Sequence, residues 1–448
     1  GEDWPISYED IKPYYDRIDK LIGVFGTNEG LENDPDGDFL PPPKPRLHEL
    51  FIKKAAQQAN VKVIPSRLSI LTKKIESTTE RGACFFCAQC NRNCSVAKAD
   101  FSSPNVLIYP AMQTGNVDVI ANAMVREVMT NKEGLATGVS YINKEDMTEY
   151  QVMGRVVIVA AGACESSRLL LNSKSGAHEN GLANASNVVG KYLHDSTGAA
   201  LGGYLPELFD RKRYNEDGVG GMHIYSPWWL DNKKLDFPRG YHIEYWGGMS
   251  QPAYGFMGGI EGMNGKYVVH GKQKEAGGYG KSLKEDYRFF YGAGVGMAGR
   301  GEAIPRADNY CEIDPDTVDK FGIPVLKFNV KWSDYEIKQA KHMKETFKEV
   351  MHNMGAVITW GGNDDESNDW GISKPGEIIH EGGTARMGND PKTSALNKWN
   401  QAHDCKNLFV VDGAAFTSQA DKNITWTILA LSMRASEYII DQMKKNNL

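Results

Sequence analysis

The sequence predicts a mixed α/β chain in which an α/β domain is interrupted by a second domain built on antiparallel sheet. Three stretches carry that expectation. Val156-Val157-Ile158-Val159-Ala160-Ala161 is a wholly apolar run of strand length, and Gly162-Ala163 turns it into a helix over Glu165 to Leu171. A buried strand, a glycine turn and a helix make one step of a parallel α/β unit. Near the C-terminus, Asn407-Leu408-Phe409-Val410-Val411 is a second apolar strand ending in Asp412-Gly413. Asn423 then opens a helix whose apolar positions Ile428, Leu431, Ala435 and Ile439 share one face. Between these, residues 186–375 are rich in Gly, Tyr and Trp, with short polar–aromatic runs such as Tyr241-His242-Ile243-Glu244-Tyr245-Trp246. That texture predicts antiparallel strands with one packed face and one face lining a cleft.

The remaining elements follow in chain order. Ser7, with Asp10 three residues on, caps a helix through Ile22. Asp34 to Pro45 is a loop of Pro, Gly and Asp. Arg46 to Asn60 has helical spacing and Val61 to Leu71 reads as strand. Val119-Ile120, Met124 to Met129, Ala136 to Ile142 and Tyr150 to Val152 read as a meander, turned at Glu133-Gly134. Ser333 and Glu336 form a capping box for a long helix through Met354, stopped by Gly355. Gly294-Val295-Gly296-Met297-Ala298-Gly299 matches the G-x-G-x-x-G pattern, but no helix follows and no acidic residue stands beyond a second strand. It is read as a strand whose small residues allow another element to approach.

Length and composition set limits. With 448 residues, 41% of them hydrophobic, the chain can fill two cores. A net charge of −6 without a basic block argues against nucleic acid as a partner. No apolar run approaches the ~18 residues of a membrane span. The chain begins at Gly1 rather than Met, so the sequence neither shows nor excludes a signal peptide. Seven cysteines in so long a chain do not make a disulfide framework.

The chemistry concentrates in His380-Glu381-Gly382-Gly383-Thr384-Ala385-Arg386-Met387-Gly388 and the strand and helix after it. A histidine opens a glycine-rich turn; a strand ending in Asp-Gly and a helix start bring backbone N–H groups to one place. His380 and Asn423 flank that place if strand and helix pack together. This stretch resembles the C-terminal signature of the glucose–methanol–choline (GMC) flavoprotein oxidoreductases: a His before Gly-Thr-x-x-Met-Gly, an Asn-Leu-Phe-Val-x-Asp strand, and a His or Asn heading the last helix. Within that family the chain is most similar to the gluconate 2-dehydrogenase and glucoside 3-dehydrogenase large subunits.

The resemblance implies an FAD-dependent dehydrogenase that oxidises a CH–OH group of a sugar, glycoside or sugar acid. It implies His380 as catalytic base and Asn423 as its orienting partner. Val125 (in Asn122-Ala123-Met124-Val125), Ala161, Gly162, Asp412, Gly413 and Thr425 would lie against the cofactor. It divides the chain into a discontinuous FAD-binding domain (1–36, 95–185 and 376–448) and a substrate domain (37–94 and 186–375). The glycine-rich dinucleotide fingerprint expected upstream of the Trp4-Pro5-Ile6-Ser7-Tyr8 element is not in this sequence, so the chain is expected to lack the first βαβ unit. A small subunit, a cytochrome acceptor and a periplasmic location are further implications, with a cytoplasmic location left open. An oxygen-using oxidase and an electron-relay subunit with a vestigial flavin site are the alternatives.

Cys84, Cys87, Cys90 and Cys94 form a second constellation, Cys-x2-Cys-x2-Cys-x3-Cys. The spacing equals that of bacterial ferredoxins except that Ser95 stands where Pro is usual. An iron–sulfur cluster, zinc, disulfides and plain loop thiols all remain open. Glu302, His223 and His242 are additional candidate substrate contacts.

Overall fold

The computed structural model describes residues 2–76, 80–87, 94, 96–214, 216, 221–227, 234–249, 265–269 and 272–448. The first element, α1 (Tyr8–Ile18), starts at the expected capping box, with Ser7 Oγ and the Asp10 carboxylate satisfying each other's backbone N–H. It continues without a break into a π-helical turn over Asp19–Gly23, so the chain runs helical through Ile22 as expected. Helix α2 (Leu47–Gln58) follows the loop. Of the run Val61 to Leu71, only β1 (Ile64–Pro65) is strand. Pro65 has no N–H to continue a ladder, and Ser66 N instead donates to the His223 carbonyl.

The meander is β2 (Ala123–Thr130), β3 (Ala136–Asn143) and β4 (Glu149–Met153), paired antiparallel in that order. Val119 and Ile120 are not part of it; they are solvent-exposed and outside any strand. The apolar run forms β5 (Val157–Val159), then Gly162 at φ +88°, then α4 (Ala163–Asn172), after the short helix α3 (Tyr109–Gln113). β5 pairs in parallel with β15 (Leu408–Val410), joining positions some 250 residues apart in sequence. The last helix is α7 (Thr425–Lys444). Its buried residues Leu431, Ala435 and Ile439 confirm the apolar face.

The region 186–375 builds a six-stranded, wholly antiparallel sheet. Its strands are β6 (Ala200–Tyr204), β7 (Ile224–Ser226), β8 (Tyr241–Gly247), β11 (Gly294–Gly301) and β14 (Val357–Trp360), with β1 at one edge, in the order β1-β7-β8-β11-β6-β14. Two small hairpins stand apart, β9 (Gly265–Val269) with β10 (Lys272–Ala276), and β12 (Tyr310–Val318) with β13 (Pro324–Asn329). Helix α5 (Lys281–Phe290) precedes β11. Helix α6 (Asp334–Met354) has the expected Ser333/Glu336 capping box and ends at Gly355, φ +72°. The former dinucleotide-like motif is strand β11. Gly299 and Gly301 turn toward α6, where any side chain would collide with Met343 and Gln339.

Strand alternation gives this sheet two unlike faces. One side carries Leu201, Ile243, Tyr245, Val295 and Met297, packed in a single core with Ile52 of α2 and Met343, Phe347 and Val350 of α6. The opposite side carries His242, Glu244, Trp246, Ala298 and Arg300, paired across strands as Arg300–His242 and Ala298–Glu244. A second core gathers Val157, Val159, Leu170, Leu408, Val410, Ala430 and Leu431 around the β5–β15 pair.

One buried network ties α2 to the sheet. Glu49 is fully buried and accepts from Arg46 N (2.7 Å), Arg46 Nη2 (2.8 Å) and His223 N (2.8 Å). Burial alone would raise this carboxyl; the Arg46 guanidinium and its hydrogen bonds hold it at about 2. The folded pKa lies below the unfolded one. The stabilisation, ~3 kcal/mol for a shift of this size, is therefore complete above the ordinary Glu range and lost as pH falls from about 4.5 to about 2. Glu49→Gln should lower the melting temperature at neutral pH, and its deficit against the native chain should shrink across that acid window in thermal melts.

Candidate active site

Two strand ends converge where β5 and β15 stop. The Asp412 carboxylate is the junction: Oδ2 accepts from Gly162 N (3.0 Å) and Ser166 Oγ, and Oδ1 accepts from Ala414 N (2.9 Å). Ser166 Oγ in turn accepts from Ala161 N at 3.0 Å. Ala161, Gly162, Asp412 and Gly413 are thus brought into one turn, and the space that a Gly162 side chain would enter is open. Val125 stands apart on β2, and Thr425 is the first residue of α7; both are exposed.

Across from this turn, His380 and Asn423 meet: Asn423 Nδ2 lies 3.2 Å from His380 Nε2. The helix begins two residues later than the sequence suggested, with Ile424 as its N-cap and no side chain capping it. Asn423 is therefore left to face the histidine. The His380 loop is pinned by three residues the sequence reading passed over. Buried Asp195 accepts from His380 N (2.9 Å) and Gly376 N (3.1 Å). Ser196 Oγ lies 3.3 Å from His380 Nδ1. Gln419, oriented with its nitrogen toward the loop, donates to the His380 carbonyl (2.7 Å) and accepts from Ser196 N (2.9 Å) and Oγ (3.0 Å). In that network Ser196 Oγ gives its proton to Gln419 and accepts from Nδ1–H. Nε2 becomes the unprotonated nitrogen, with Asn423 donating to it.

The polar face of the large sheet forms the wall beside this pair. Arg300 pairs with Glu244 at 3.2 Å, and His242 Nε2 lies 3.6 Å from the same carboxylate. His242 Nδ1 bonds the Asp421 carbonyl, two residues before Asn423. Burial would raise the Glu244 carboxyl, but His242 and Arg300 hold it below its usual range. His380 is shifted below the usual histidine range by burial first and by the Arg300 charge second, with Glu244 opposing. Glu302 pairs with Arg239 at 3.1 Å, and burial raises its carboxyl to about 7. His242 and Glu302 thus adjoin the site. His223 does not: it is fully buried, with its N–H on Glu49 and Nδ1 on the Lys44 carbonyl.

A cavity of about 440 Å³ opens beside Asn423, lined by Trp4 ahead of α1, Tyr8 and Tyr15 of α1, Phe39 of the following loop and Trp426 of α7. Its aromatic walls, and the uncapped N–H groups of the 20-residue helix α7 at its edge, suit a flat heteroaromatic ring that gains negative charge on reduction, as a flavin does; Asp16, Asp19, Asp34 and Asp36 also line it.

The cysteine segment is described only in part. Cys84, Cys87 and Cys94 are free thiols, and Cys90 lies outside the described residues. Phe86 N donates to Cys84 Sγ at 3.3 Å, and burial raises the Cys84 thiol. No group of three or more metal-ligating side chains is gathered among the described residues. Nor is any helix among them long and apolar enough to cross a membrane.

A parallel strand pair ending in an Asp–Gly turn, a His–Asn pair and a polar sheet wall define an oxidoreductase of the two-part flavoprotein type. Comparison with known proteins agrees. GMC oxidoreductase family models match residues 45–197 and 305–432. The chain is 30% identical over 441 residues to the 2-methyl-1,2-propanediol dehydrogenase of Mycolicibacterium austroafricanum, covering 98% of this chain and 74% of that one. It is 26% identical to the gluconate 2-dehydrogenase flavoprotein of Pantoea cypripedii (99% and 73% covered). To the fructose dehydrogenase large subunit of Gluconobacter japonicus it is 24% identical (99% and 76% covered). The chain belongs to the GMC oxidoreductase family, whose members generally bind FAD, and is an oxidoreductase.

Proposed function

We propose that the chain oxidises a carbinol carbon of a sugar, glycoside or sugar acid and passes the electrons to an acceptor other than oxygen. The 3.2 Å approach of Asn423 Nδ2 to His380 Nε2 carries the reading. A substrate hydroxyl entering between them donates to Nε2 and accepts from Nδ2, which fixes its orientation as its proton leaves. Burial keeps His380 neutral and ready to accept that proton. FAD, when bound, supplies the acceptor for the hydride leaving the same carbon. Ala161, Gly162, Asp412 and Gly413 would hold its phosphates and ribityl chain, with Val125 and Thr425 at its two ends. The α7 N-terminus favours negative charge on the ring.

The polar wall of Glu244, His242 and Arg300 supports a polyhydroxylated substrate. Anaerobic dye reduction with sugars, sugar acids, glycosides and simple diols tests the class. Rapid dye turnover with a carbohydrate and little peroxide in air is expected. Oxidation of simple diols alone, or brisk peroxide, would contradict it.

Cys84, Cys87, Cys90 and Cys94 are proposed as soft ligands of an iron–sulfur cluster that splits the electron pair toward a partner subunit. Their clustering within eleven residues supports this, as does the large-subunit nature of one relative. Anaerobic purification should give iron and sulfide with an EPR signal, and Cys94→Ser should slow dye reduction more than flavin bleaching. Protein free of iron and sulfide would contradict the cluster.

A further inference from the structure

The polar face of the large sheet is built in rows, buried at His242, Glu244 and Ala298 and exposed at its far end. Nearest His380 is the row Arg300–His242, and Gly198 of the chain entering β6 lies close enough to Ile378 that a side chain there would touch it at 2.8 Å. The next row is Glu244, Ala298 and Ala200. The third is Trp246, Gly296 and Gly202 in direct register on β8, β11 and β6, with Trp360 of β14 opposite Gly202 across a register shift. The Trp360 indole lies across the two glycines. A Gly202 Cβ would come 2.7 Å from its Cε2, and a Gly296 Cβ 3.7 Å from its Cζ2. Both indoles remain open to solvent, Trp246 at 36% and Trp360 at 45%. Each row of alternating residues is spaced by about 6.8 Å, so the tryptophan row stands about 13 Å along the strands from the row beside His380.

The Trp360 indole laid over the glycine pair, with Trp246 beside it, forms an apolar floor among the described residues. The face leading back to the His–Asn pair is polar and charged. A planar aromatic floor next to hydrogen-bonding groups is the chemistry that recognises a sugar ring, whose C–H face stacks while its hydroxyls find polar partners. The separation from His380 exceeds the reach of the one ring being oxidised. From this geometry we propose that Trp246 and Trp360 form a second carbohydrate subsite, and that the substrate is a glycoside or oligosaccharide whose far ring stacks there while the near ring is oxidised. Glu244 stands in the row between the two positions, paired with Arg300 of the row beside His380. This inference rests on the proposed carbohydrate oxidation and adds the length of the substrate.

The test compares a disaccharide with its parent monosaccharide in the flavin-loaded protein. Trp360→Ala and Trp246→Ala should each raise KM for the disaccharide about tenfold with kcat kept, and leave KM for the monosaccharide unchanged; Trp360→Phe should restore most of the loss. Equal effects on both sugars, or none on either, would overturn the subsite. Binding is also read without turnover, by tryptophan fluorescence of the pre-reduced protein titrated anaerobically with the disaccharide. A saturable change is expected that the double Ala variant lacks. Saturable binding in a protein that oxidises no carbohydrate would fault the proposed reaction and leave the subsite standing. No binding alongside intact monosaccharide oxidation would do the reverse.

Discussion

Replacing His380 with alanine should leave the flavin bound and slow its anaerobic bleaching by substrate by about 10²–10⁴-fold, the usual worth of a positioned acid–base group. The effect should be that large because no second base takes its place. His242 is turned to the Asp421 carbonyl, and Glu244 is committed to Arg300 and His242. The fold should tolerate the change: the His380 loop is held through backbone N–H bonds to Asp195 and the carbonyl bond from Gln419, neither of which uses the ring. Asn423→Ala should cost on the order of 10²-fold in the same assay, as for removal of one preorganised donor. Bleaching at an unchanged rate in either variant would remove that residue from the chemistry.

Asp412→Ala should act through structure. Its carboxylate is 7% exposed and satisfies Gly162 N, Ala414 N and Ser166 Oγ together. Truncation orphans the buried Ala414 N–H and Ser166 hydroxyl, each costing ~1–3 kcal/mol, so a loss of at least ~2 kcal/mol is expected in denaturant titrations. The same turn carries Gly162 and Gly413, so flavin retention after gel filtration should fall in step. A variant of native stability and flavin content would show that the Asp412 junction is dispensable.

What could be read from the sequence was local. The Ser7/Asp10 and Ser333/Glu336 boxes and the stop at Gly355 depend on residues within a turn of one another, and all three stand as expected. The apolar run forms a strand at Val157–Val159 that buries Val157 and Val159 but leaves Ile158 half exposed, so the expected buried strand holds for one face only. The polar and apolar faces of the sheet follow from alternation, but which face the helices cover is a long-range fact. His223 and His242 look alike in sequence. Glu49, 174 positions away, claims the first, and Asp421, 179 positions away, holds the second at the site. Asp195, Ser196 and Gln419 carry no periodic or motif signal; they matter only because folding brings Asp195 and Ser196 across 185 and 184 positions to His380, and Gln419 across 223 positions to Ser196. The start of α7 was misplaced by two residues because Asn423 is a good capping residue, and the structure commits its side chain to His380 instead.

The most direct test is the pH dependence of anaerobic flavin reduction by substrate in the flavin-loaded protein. Burial and Arg300 lower the His380 pKa, so the neutral, proton-accepting form persists above a value below the ordinary 6.5. The rate should be level through neutral pH and fall only as pH drops through that lowered value, and His380→Ala should abolish the limb along with most of the rate. A limb at or above 6.5, or one that survives in His380→Ala, would contradict the account.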